Sequence, residues 1–224
     1  MGKKQEPLFD EEARNWESLY KDSPEERWGL FQSYARKRVQ ARLDLCLSLL
    51  PPVRGRDVIE LGCGPGYYGA RLIRKGANWS GVDLSEKMLK LCRRNTRSDC
   101  LIRANVLALP FLPDSCDAML CIGVLSYLRK REISSLLSDA SSIIRPGGFL
   151  LTQTVRFDPI TWVRCRLPGI VPRPLRIPGP FFPRNPETIK RLLLENGFSL
   201  QRTVSYKKFA LYPAGTIYLA RKTG

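Results

Sequence analysis

Val58-Ile59-Glu60-Leu61-Gly62-Cys63-Gly64-Pro65-Gly66-Tyr67-Tyr68-Gly69 joins a short apolar run to alternating glycines. Such a run reads as a buried strand, and glycines directly behind it let the backbone turn sharply and approach a ligand. The helix that follows offers the unpaired N–H groups of its first turn. The next apolar run ends in Gly81-Val82-Asp83-Leu84-Ser85, where a carboxylate can accept hydrogen bonds from two ribose hydroxyls. Gly64-x-Gly66-x-x-Gly69 also fits the dinucleotide-binding pattern, which would begin right at the strand end. Here Glu60 and Gly62 come first, and the register Gly62-Gly64-Gly66 fits the turn better.

Outward from this turn, the spacing predicts alternating elements. Strands are expected over residues 57–61, 79–83, 100–104, 117–122 and 149–155, with helices over 68–75, 86–94 and 130–144 between them. Two helices, 10–22 and 25–50, precede the first strand; the second opens at Ser23-Pro24-Glu25-Glu26 and stops at Pro51-Pro52. A helix over 186–196 closes at Gly197, and strands over 199–209 and 216–221 follow with no helix between them. The rhythm predicts an α/β fold: a Rossmann-like, seven-stranded, mostly parallel sheet with helices on both faces and a C-terminal antiparallel strand pair.

Further motifs lie downstream: Ala104-Asn105-Val106-Leu107-Ala108-Leu109-Pro110-Phe111, Ser115-Cys116-Asp117-Ala118-Met119-Leu120-Cys121, Val124-Leu125-Ser126-Tyr127-Leu128 and Ile144-Arg145-Pro146-Gly147-Gly148-Phe149. Together with the glycine turn, this array resembles the class I S-adenosylmethionine-dependent methyltransferases, in particular their small-molecule, type 11-like branch. The resemblance runs from about Asp57 to the C-terminus and implies a domain over 53–224, capped by N-terminal helices over 1–52 and carrying a substrate lid at about 156–186.

The resemblance also implies roles and a cofactor, S-adenosyl-L-methionine, with no metal. Gly62, Cys63, Gly64 and Gly66 would shape the loop under the methionine moiety, Glu60 would orient its amino group, and Asp83 would hold the ribose. Leu84 and Met88 would pack on adenine. Asn105 stands where the family usually has Asp; its amide can accept from adenine N6 and donate to N1, and Val106 should offer its backbone N–H. Cys121 follows the fourth strand, where the family places a backbone carbonyl near the cofactor amino group. As residue types, Leu84, Met88 and Cys121 fit a buried core equally well.

Composition constrains the chemistry. The 224 residues carry 37 Lys+Arg against 21 Asp+Glu, a formal charge of +16, and contain no histidine. That excludes His-based zinc sites, Ser-His-Asp triads and a histidine general base. Residues 1–50 are balanced in charge, whereas residues 146–224 hold 13 basic and 3 acidic groups. Eight of the 17 prolines fall between Pro159 and Pro186, interleaved with arginine, so this stretch is expected to form an ordered loop or lid. Seven cysteines without a CxxC pair read as reduced thiols. No apolar run approaches a membrane span and the first residues lack a signal-peptide pattern, so a soluble, cytoplasmic protein is expected.

Methyl transfer from a sulfonium needs mainly an oriented acceptor and excluded water. Without histidine, a base for a hydroxyl acceptor has to be Tyr127, Asp158, Glu17 or another carboxylate, unless the acceptor is already an anion or is an amine. Tyr20, Trp162, Arg173 and Arg176 are candidate acceptor contacts, and an anionic, amphiphilic or membrane-presented small molecule fits arginine interleaved with aromatics. Trp16, Tyr34, Phe181, Phe182, Arg36, Arg38 and Arg184 belong to the same candidate surface. The rival readings are an RNA or other nucleic-acid methyltransferase and a catalytically silent subunit of the same fold. Against the first, Cys121-Ile122-Gly123-Val124 is not the [D/N/S]-P-P-[Y/F/W] set with which amino-methylating nucleic-acid enzymes grip a base.

Overall fold

The computed structural model describes residues 10, 29–156, 180–206 and 215–224. Helix α1 (Gly29–Leu49) leads into β1 (Asp57–Leu61), α2 (Tyr67–Arg74), β2 (Asn78–Asp83), α3 (Glu86–Thr96) and β3 (Leu101–Arg103). Then come β4 (Cys116–Ile122), a 3-10 turn (Leu125–Tyr127), α4 (Lys130–Ile143), β5 (Ile144–Val155), α5 (Pro186–Glu195), β6 (Phe198–Tyr206) and β7 (Gly215–Lys222). The seven strands form one sheet in the order β3-β2-β1-β4-β5-β7-β6. Five strands pair in parallel, while β7 runs antiparallel to both neighbours, β5 and β6.

Side-chain alternation along the strands divides the core in two. Val58, Ala118, Leu120, Leu151, Ile217 and Leu219 pack with Leu43, Cys46 and Leu47 of α1, Tyr68 and Leu72 of α2, and Cys92 of α3. Ile59, Leu61, Met119, Cys121, Leu150 and Tyr218 pack with Ile133, Leu136 and Leu137 of α4 and Ile189, Leu192 and Leu193 of α5. Helices therefore cover both faces, as expected. Buried β-branched and apolar residues on both faces explain why the central strands read as near-continuous apolar runs.

The differences from the expected boundaries are local. Strand β5 starts at Ile144, five residues before Phe149, because Ile144 pairs with Cys116 ahead of a bulge that restores register at Ala118 and Phe149. Of the helix expected over 25–50, Gly29–Leu49 is described; of the helix over 10–22, only Asp10 is. The strand expected over 199–209 is described as far as Tyr206. Residues 157–179, most of the proline- and arginine-rich stretch, lie outside the described residues.

At the N-terminal ends of the strands an ion cluster ties β1, β4 and β5 together. Arg145 Nη1 lies 3.0 Å from both Asp57 Oδ2 and Asp117 Oδ1, and the Asp57 amide donates to Asp117 Oδ2 at 2.8 Å. The opposite, C-terminal ends are left for loops, and β1 sits there at the point where the chain turns one way to β2 and the other way to β4. In open α/β sheets this switch point is where ligands bind.

Candidate functional site

The turn after β1 is held in shape by its own backbone. Cys63 N donates to Val82 O at 2.9 Å and Gly66 N to Cys63 O at 3.0 Å, which closes the loop against β2. Gly62 and Gly66 adopt φ of +64° and +81°, a left-handed region that costs other residues about 1–2 kcal/mol. Both are also closely covered: a Cβ on Gly62 would lie 2.4 Å from Val124 Cγ2, and one on Gly66 would lie 2.5 Å from Cys92 Sγ. Gly69 has a different cause. A Cβ there would meet the Trp79 ring at 2.4 Å, so the third glycine of the dinucleotide-like pattern makes room for an indole on the neighbouring strand.

Asp83, at the end of β2, joins the turn to the next helix. Its Oδ2 accepts from Gly64 N at 2.8 Å and its Oδ1 from Ser85 N at 2.9 Å. Burial pushes its carboxyl above the usual range, opposed by the amides of Ser85, Gly64 and Leu84 and reinforced by nearby Asp10. Ser85 caps α3 by accepting from Met88 N at 3.1 Å, and its hydroxyl donates to Asp10, which also accepts from Lys87 N.

Glu60 is 2% exposed, and its Oε2 accepts from the Trp79 indole at 3.0 Å. Burial drives its carboxyl well above the ordinary value; nearby Cys92 and Asp83 push the same way, against hydrogen bonds from Trp79 and the Gly69 amide. After β3, Asn105 Oδ1 accepts from Leu107 N at 3.0 Å and Asn105 O from Ala108 N at 2.9 Å, which fixes a turn.

These loops surround a cavity of about 200 Å³. Glu60, Gly62, Cys63, Gly64, Asp83 and Leu84 line it, as do Met88, Asn105, Val106 and Tyr127, so ten of the residues expected from sequence meet in one place. Gly66 does not line it and instead sits at the N-cap of α2. Cys121 is buried behind the wall, its carbonyl accepting from Thr152 Oγ1 at 2.9 Å, and the next residue, Ile122, lines the cavity in its place. Asp158, Tyr20, Trp162, Arg173 and Arg176 lie outside the described residues, as does the side chain of Tyr34.

The structure adds residues that sequence reasoning missed: Arg42, Tyr67, Tyr68, Val124, Leu128 and Glu132 also line the cavity. Arg42 comes from α1 and Glu132 from α4, so the two reach it from opposite faces of the sheet. The rim is pinned by residues 181–184: the Phe181 ring meets Tyr127 edge-on at 5.3 Å, Phe182 N donates to Ser126 O at 2.6 Å, and Arg184 N donates to Val155 O at 2.9 Å. The Arg184 guanidinium donates to Leu128 O and lies over the Phe182 ring, and burial lowers its pKa. It is therefore a fastener of the rim as much as a candidate anion clamp.

The strand order and the position of the cavity are those that the resemblance to the class I S-adenosylmethionine-dependent methyltransferases implies. Residues 58–148 match the family model described as "Methyltransferase domain". The chain is similar to the malonyl-[acyl-carrier protein] O-methyltransferase of Erwinia pyrifoliae, 34% identical over 105 residues that make up 46% of this chain and 39% of that one. It is also similar to the ubiquinone biosynthesis O-methyltransferase of Cupriavidus pinatubonensis, 29% identical over 106 residues, 45% of this chain and 42% of that one. These matches thus span less than half the length of each relative.

Among solved structures, the magnesium protoporphyrin IX methyltransferase of Synechocystis PCC 6803 with bound SAH superposes with a TM-score of 0.80 over 99% of both chains, at 21% identity. The geranyl diphosphate C-methyltransferase of Streptomyces coelicolor A3(2) gives 0.74 over 99% of this chain and 97% of that one, at 15% identity. At these identities the likeness establishes the fold.

Proposed function

We propose that the protein is an S-adenosylmethionine-dependent methyltransferase acting on a small organic acceptor, with S-adenosyl-L-homocysteine as the second product. The observation that carries this reading is Asp83 at the cavity wall, already bonded to Gly64 N and Ser85 N through separate oxygens. Each oxygen keeps a lone pair, the pattern needed to receive the two hydroxyls of a ribose. The amide of Asn105 suits an adenine edge, and Met88 and Leu84 supply apolar contact beside it. Glu60 lies on the same cavity, where it would orient the methionine amino group, and the bound cofactor would supply an activated methyl group.

The acceptor is anionic or amphiphilic in this reading, methylated on oxygen or nitrogen. Its support is Arg42 at the cavity together with the arginine-rich composition of residues 156–186. The names of the curated relatives favour oxygen. A nucleic-acid acceptor is the second reading, favoured by the formal charge of +16. Incubating the protein with methyl-labelled S-adenosylmethionine and a fractionated cell extract separates the two. Label in small molecules or lipids is expected; label in RNA would overturn the small-molecule assignment.

A further inference from the structure

We propose that Glu132 is the carboxylate that takes the acceptor's proton, so that the methylated atom is a hydroxyl oxygen or an amine nitrogen and not a carboxylate. This rests on the reading of the cavity as an S-adenosylmethionine site.

Among the described residues, three acidic side chains line the cavity: Glu60, Asp83 and Glu132. Glu60 is committed to the Trp79 indole and Asp83 to two backbone amides. Glu132 belongs to neither group. It lies in the first turn of α4, four residues beyond Leu128, and Val124, Tyr127 and Leu128 line the same cavity. A Cβ on Gly62 would touch Val124, so this wall adjoins the glycine turn under the methionine moiety, away from the adenine contacts at Leu84, Met88 and Asn105.

The chemistry of the side chain fits the place. Glu132 Oε2 accepts from Arg129 N at 2.6 Å, which ties the carboxylate to the first turn of α4 and fixes its position. Among the described residues, Oε1 has no hydrogen-bond partner, leaving a half-buried acceptor beside the cavity. An acceptor O–H or N–H donated to Oε1 would lose its proton there as its lone pair takes the methyl group. The breaking C–S bond leaves its electron pair on sulfur, so the sulfonium becomes a neutral thioether, and Glu132 later passes the proton to water. With Arg42 arriving from the opposite face, the matching acceptor is a hydroxyl or amine on a molecule whose negative charge lies elsewhere.

The test is calorimetric and needs no acceptor. Sinefungin carries a carbon in place of the cofactor's sulfur and an amino group in place of its methyl, so its ammonium probes whatever faces the methyl position; S-adenosylhomocysteine has no group there. In Glu132→Gln the amide oxygen still accepts from Arg129 N, and a thermal melt checks that the fold persists. The expected result is unchanged S-adenosylhomocysteine affinity and sinefungin binding weakened about tenfold. Unchanged affinity for both, or equal loss of both, would overturn the assignment. Failure of the wild-type protein to bind S-adenosylhomocysteine at all would overturn the cofactor reading itself, and the role of Glu132 with it.

Discussion

Asp83 Oδ2 accepts the Gly64 amide at 2.8 Å, so the ribose-binding candidate and the glycine turn are one hydrogen-bonded unit. The bond spans two strands, because Gly64 follows β1 and Asp83 ends β2. Removing the carboxylate therefore acts twice, on a ligand contact and on the shape of the loop.

Asp83→Ala is expected to reduce S-adenosylhomocysteine affinity at least about a hundredfold, the loss of two hydrogen bonds to a charged group. Gly64 N and Ser85 N would be left without their acceptor, at a cost to stability of about 1–3 kcal/mol. Calorimetry reads the first effect and denaturant titration the second. Undiminished affinity in the variant would remove Asp83 from the site.

Glu60 gives a pH signature. Its folded-state pKa is raised well above its ordinary value, so the folded protein binds a proton that the unfolded chain has already released. Stability falls as pH rises from the ordinary carboxylate range through the raised value, and is regained on acidification. Glu60→Gln keeps an oxygen for the Trp79 indole and removes the buried charge. Melting temperatures across a pH series should show the variant gaining on the wild type as pH rises, while cofactor affinity drops. Parallel curves would contradict a charged Glu60 at the upper end.

Two glycines of the turn should fail differently. Gly66→Ala places a Cβ 2.5 Å from Cys92 Sγ and 3.3 Å from Cys92 Cα at a φ of +81°, and is expected to cost about 2–4 kcal/mol. At Gly64 nothing lies within 4 Å of the added carbon, so Gly64→Ala should cost about 1–2 kcal/mol from its φ of +52° alone. The new methyl group would instead enter the cavity, and cofactor affinity should fall by more than stability suggests. Chemical denaturation and ligand titration of the pair check this contrast.

Arg145→Ala should separate stability from binding. Burial pushes Asp117 up, but the Asp57 amide and the Arg145 guanidinium outweigh it and hold its carboxyl below the usual range. That contribution is present above the unfolded-state pKa and is lost as pH falls through the lowered one. The variant should melt at a lower temperature at neutral pH and show a shallower loss on acidification. Its S-adenosylhomocysteine affinity should match the wild type, because the cluster lies at the strand ends opposite the cavity. Weakened binding would show that the two ends are coupled.

Short-range pattern was sufficient for much of this protein. The glycine turn, Asp83 and the strand and helix alternation are properties of residues a few positions apart, where sterics and hydrogen-bond geometry act locally. Ten residues to which the family resemblance gave a role line one cavity, whereas local pattern began β5 at Phe149, since the bulge after Ile144 depends on a partner strand, not on its own sequence.

Packing decided the rest. Nothing near Arg42 marks it off from Arg36 and Arg38; only the seating of Leu43, Cys46 and Leu47 on the sheet brings its side chain to the cavity. Glu132 sits in the first turn of its helix, and only the docking of α4 on the other face brings it to the cavity that Tyr127 also lines. Gly69 looks like part of a ligand motif, yet its reason is the Trp79 ring on a strand ten residues away. The insertion of β7 between β5 and β6 follows the same rule. The sequence alone determined which segments become strands and which turn can cradle a ligand, because those choices are local. Tertiary structure decided which side chains share the cavity, because that depends on contacts between elements far apart in the chain.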